Sequence, residues 1–61
     1  MTDFRVKATV NALVDRYGED GSLVVAINTR DAAKQEYHRA FYADVVEYIE
    51  TALAKRDSTE G

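Results

Sequence analysis

The sequence predicts an α+β fold: an N-terminal β-hairpin packed on one long C-terminal α-helix (ββα), dimeric, with αβα and βββα as alternatives. Three observations lead there. Apolar residues occupy the even positions from 4 to 14 and alternate with mostly polar ones. A second apolar run, 22–29, follows across Asp20-Gly21, a favoured two-residue hairpin loop. From 31 to 55 apolar residues recur with helical period, and neither glycine nor proline interrupts them.

The first strand is the least secure in pattern. Phe4, Val6, Ala8, Val10, Ala12 and Val14 share one face, with Arg5, Lys7, Thr9 and Asn11 on the other. Leu13 and Arg16 break the alternation. The same stretch also fits a helix, whose stripe would be Val6, Val10, Leu13, Val14 and Tyr17 with Gly18 just past its end. The β-branched and aromatic content favours the strand. So does the missing capping box, and so does the need of a strand at 22–29 for a hydrogen-bonding partner. In the register set by Asp20-Gly21, Val14 faces Ile27 and the apolar sets share one side. Residues 4–11 then have no pairing partner within the chain and offer an open edge to another.

The helix over 31–55 takes Asn28 or Thr29 as its cap and Asp31 in its first turn, with Lys55 and Arg56 in its last. Its apolar arc has two flanks. Tyr37, Phe41, Val45, Tyr48 and Ala52 form one, and Tyr42, Val46, Ile49 and Leu53 the other. A break at Asp44 would instead make 37–42 a third strand, but the helix formers of 32–36 oppose it. A helix of roughly 37 Å overhangs strands of about 26 Å. One flank can cover the hairpin, with Tyr37, Phe41 and Tyr48 as its core. The other, Tyr42, Val46, Ile49 and Leu53, is the candidate dimer or partner interface. Residues 1–56 make one small domain, and 57–61 a frayed polar tail.

Composition narrows the chemistry. A 61-residue, 6.8 kDa chain buries little of its surface and ordinarily needs disulfides, a metal or a partner subunit. It has no cysteine and one histidine, so disulfides, thiolate metal sites and sites of several histidines are excluded. A partner, identical or different, remains. His38 has no adjacent base or acid partner at a recognisable spacing, and Ser22 and Ser58 sit in a turn and the tail, so no catalytic set is expected. The pairs Asp44 with Glu47 and Glu47 with Glu50 supply too few converging oxygens for a hard cation. The loop 18–21 lacks the lysine and hydroxyl residue of a phosphate loop.

The net charge is −3, and the acidic excess falls within 41–61, against the basic footprint of a nucleic-acid binder. The expected function is a small acidic, non-enzymatic protein–protein interaction module that regulates or inhibits a partner. It would act as a homodimer, without cofactor, metal or membrane span. Viral and mobile-element inhibitors share its size and charge. The start carries no signal-peptide pattern, so cytoplasmic residence is the expectation. The alternatives are a small nucleic-acid-binding dimer that uses Arg5 and Lys7 on paired strands, and a small-molecule binder at the dimer seam.

Overall fold

The computed structural model describes the backbone of residues 4–60 and the side chains of residues 4–55. Two helices, α1 (Phe4–Ala32) and α2 (Glu36–Glu60), form a hairpin, and no strand occurs among the described residues. The β-hairpin is thereby overturned, and with it the α+β class and both alternatives, αβα and βββα. Residues 4–17, 22–29 and 37–42 are all helical.

The packing gives the physical reason. A strand would bury Phe4, Ala8 and Ala12 along with Val6, Val10 and Val14. The chain exposes Phe4, Ala8 and Ala12, buries Val6 and Val10, and half-buries Leu13 and Val14. That is the helical stripe, and Leu13, the residue that spoiled the alternation, belongs to it. In 22–29 the β-branched Val24, Val25 and Ile27 favour a strand locally, but Ser22 and Ala26, one turn apart, are fully buried. Tertiary burial of that small-residue face outweighs a propensity difference worth tenths of a kcal/mol per residue.

α1 is bent. Gly18 is its one residue with non-helical dihedrals, φ 80° and ψ 175°. Only glycine populates that region readily, since a Cβ there meets the backbone. The bend is sharp. A Cβ added to Gly21 would stand 3.0 Å from the Cβ of Tyr17, where regular helical neighbours four apart lie about 5–6 Å apart. It carries the arm 4–17 back over the body of the hairpin. Val6 and Val10 join Ala26, Val45, Val46 and Ile49 in one core cluster. Were α1 straight, Val6 would lie opposite the far end of α2, away from Val45.

Asp20-Gly21 therefore lies within the helix that follows the bend, and Glu19 and Asp20 start that segment, where negative charge suits the exposed N–H groups. Ser22, completely buried, donates its hydroxyl to the Glu19 carbonyl at 2.7 Å, so the core holds a polar group without leaving it unpaired.

The reversal between helices sits at 33–35, later than the sequence pattern suggests. Asn28, Thr29 and Asp31 are in the last turns of α1 and do not cap α2. Thr29 instead donates to the Val25 carbonyl at 2.8 Å. Gln35 opens α2, its carbonyl accepting from the Arg39 N–H at 3.1 Å, and Glu36 places a negative charge in the first turn. Arg39 reaches back and donates from Nη2 to the Ala33 carbonyl at 3.0 Å, so the start of one helix closes the end of the other.

α2 continues through 57–60, where the sequence suggested a tail; the side chains there, and Gly61, lie outside the described residues. Its 25 residues span about 37 Å and account for the long dimension of a molecule measuring 40 × 25 × 16 Å. No helix among the described residues is long and apolar enough to cross a membrane.

Candidate interaction surface

Both flanks of α2 meet α1, but unequally. Of the residues expected at a partner interface, Val46 and Ile49 are 4% and 3% exposed within the chain's own core, and Tyr42 and Leu53 are half-buried against that core. Both arms of α1 contribute to that core, Val6 and Val10 from the first and Ala26 from the second.

The other flank is the open one. Its Val45 is fully buried, yet Tyr37 is 66% exposed, Ala52 is exposed, and Phe41 and Tyr48 are half-buried. At about 100° per residue Tyr37, Phe41 and Tyr48 fall within roughly 40° of one another, along a single shoulder of the helix. The aromatics assigned to the core thus stand at its margin, with rings partly in solvent. Phe41 meets Tyr42 edge to face, centroids 5.4 Å apart at 87°, which ties the shoulder to a residue facing the core. Tyr37 lies against His38, centroids 4.2 Å apart at 45°.

Exposed acids border this row. Asp44 lies between Phe41 and Tyr48 in sequence and on the same side, and Glu47 and Glu50 continue round the back of the helix. The surface is therefore aromatic with an acidic edge. Tyrosine and phenylalanine in such a setting bring large area at low entropic cost, which is why interface anchors are drawn from them.

A shallow, open depression of about 530 Å³ lies at the turn, lined by Asn28, Thr29, Ala32, Ala33, His38 and Tyr42. It contains His38, the one histidine, whose side chain is exposed. The Thr29 hydroxyl in its wall is committed to the Val25 carbonyl. Among the described residues no three histidine, cysteine or carboxylate side chains converge as a metal would require.

Arg5 and Lys7, placed on paired strands by the sequence reading, are exposed on the first arm of α1. Two residues apart on a helix they diverge by about 160°, so they do not form one stripe for a phosphate backbone. The sequence pattern contained the aromatic row, and it offered Gly18 as part of a turn or as the residue past a helix end, not as a bend within one helix. It lacked the knowledge of which flank α1 would cover. Compared with protein-family models, curated proteins and solved structures, the chain gives no match.

Proposed function

We propose that the chain is a non-enzymatic protein-binding module that presents the shoulder of α2, with Tyr37, Phe41 and Tyr48 as anchors. The observation that carries this reading is the 66% exposure of Tyr37 in line with two half-buried aromatics. Isolated apolar residues on a surface need no explanation, whereas a row of rings on one helix face favours contact with a second apolar surface. The acidic border and the net charge of −3 favour a partner whose groove is rimmed by lysine or arginine. Regulation by occupying that groove needs no catalytic group. Cytoplasmic residence belongs to the same reading and is supported by the lack of cysteine, which secreted domains of this size commonly use.

The test is a quantitative pull-down from lysate at two salt concentrations, comparing the parent chain with Tyr37→Glu. Because Tyr37 is mostly exposed, the variant keeps the parent's helical content. The expected result is a protein enriched by the parent and lost with Tyr37→Glu. Identical captured sets for the two baits refute the reading. Salt-sensitive retention of nucleic acid instead of protein would replace it with the nucleic-acid alternative.

A further inference from the structure

We infer that the partner sets an arginine, and not a lysine, on Asp44, so that this one carboxylate decides what the aromatic shoulder of α2 accepts. The inference rests on the shoulder being a protein-binding surface and narrows the chemistry of what binds there.

Of the three acids near the row, only Asp44 shares its face. At about 100° per residue it falls about 20° from Tyr37, 40° from Tyr48 and 60° from Phe41. Glu47 lies about 100° from the middle of the row and Glu50 about 160°. Asp44 follows Phe41 by three residues and precedes Tyr48 by four, spacings that bring Cβ atoms to about 5–6 Å on a helix. Its carboxylate therefore has an aromatic ring on either side along the helix.

The chain supplies no cation to it. Asp44 is exposed, and among the described residues no hydrogen bond or ion pair engages it. The positions within reach of its side chain on α2 are Ala40, Phe41, Glu47 and Tyr48. None is basic, and Glu47 adds repulsion.

A partner that covers the rings also takes this carboxylate out of water. An apolar surface alone would leave it desolvated and unpaired, which is costly. The partner therefore brings a cation to this point, among the apolar groups that meet the rings. A lysine ammonium is compact and strongly hydrated, and it gives up its water reluctantly. A guanidinium is planar and weakly hydrated. It lies flat on an aromatic face and donates two parallel N–H bonds to one carboxylate. A carboxylate flanked by rings uses both properties at once. A nucleic acid would bring further negative charge to the same place.

The test measures fluorescence anisotropy of labelled helical peptides of about 15 residues, built from alanine and glutamine. Each carries leucines one helical turn either side of a central residue, which is arginine, lysine, citrulline or glutamate. The binding chains are the parent, Asp44→Asn and Tyr37→Glu. Asp44→Asn keeps the parent's helical content and melting temperature, since the side chain is exposed and makes no contact to lose. On the parent, the arginine peptide should bind about threefold tighter than the lysine peptide and about tenfold tighter than the citrulline and glutamate peptides. Asp44→Asn should bring the arginine peptide down to the citrulline level and leave the citrulline peptide unchanged. Equal affinity for arginine and lysine overturns the inference, as does an arginine preference that survives Asp44→Asn, or no binding of any peptide at millimolar concentration. Four peptides that bind alike and are all lost with Tyr37→Glu overturn the arginine but leave the shoulder standing. Binding untouched by Tyr37→Glu overturns the shoulder itself.

Discussion

Ile49→Ala separates a core residue from an interface residue. Ile49 is 3% exposed and belongs to the single cluster that joins α2 to both arms of α1. The substitution removes three carbons, worth about 2.4 kcal/mol at ~0.8 kcal/mol for each buried methylene-sized group. The site collapses only partly around what is lost, so the cavity adds to this, and buried isoleucine-to-alanine changes cost about 2–5 kcal/mol. A chain of 61 residues has a total stability of only about 3–9 kcal/mol. A cost of about 3 kcal/mol therefore consumes a third or more of it and lowers the melting temperature by about 12–24 °C. Thermal melts followed by circular dichroism, repeated over a hundredfold range of concentration, measure this. The difference between variant and parent should be the same at every concentration, because the contact is within one chain. A deficit below about 1 kcal/mol, or one that vanishes as concentration rises, would refute the placement of Ile49 in the intramolecular core.

Two further outcomes follow from the bend and the turn. Gly21→Ala puts a methyl 3.0 Å from the Cβ of Tyr17, an atom fixed to its backbone, so the arms must shift. Overpacking of about 1–3 kcal/mol exceeds the helix-propensity gain of up to ~1 kcal/mol, and denaturant titration should show a net loss of roughly 1 kcal/mol. Arg39→Ala removes the donor to the Ala33 carbonyl, and urea titration should show a loss of about 0.5–1 kcal/mol, modest because that carbonyl is exposed and water can replace the guanidinium.

The helical character of α2 was legible, since its apolar positions recur over many turns and no strand pattern competes with them. Its start was not. Asp31 resembles a first-turn acid, yet it ends α1, where it pairs with Arg30 at 3.3 Å. The reversal at 33–35 carries neither glycine nor proline, and Arg39 secures it from six residues away. No local rule announces such a cap.

In 4–17 the ambiguity was built into the residues. Val6, Val10 and Val14 are four apart, a spacing that is even, as a strand requires, and also close to one helical turn. They cannot separate the two periods. Leu13 and Tyr17 could, and they point to the helix, as does Gly18, whose positive φ ends the first arm. The two glycines at 18 and 21 resemble a hairpin loop, but one makes a bend and the other makes room for Tyr17. On α2 the arms of α1 bury Val46 and Ile49 together with Val45 and leave Tyr37 mostly exposed, a distribution that the apolar pattern of α2 does not carry by itself.

Among the described residues valine supplies four of the six buried apolar ones: Val6, Val10, Val45 and Val46. On a helix a valine side chain is held almost entirely in one rotamer by the preceding turn. Packing it therefore freezes little motion that the helix had not already stilled. Leucine or methionine in the same places would bury more surface but surrender more rotational freedom. The molecule's small interior is thus assembled from parts that arrive nearly rigid, and its methyl groups should report a stiff centre inside a lightly covered exterior.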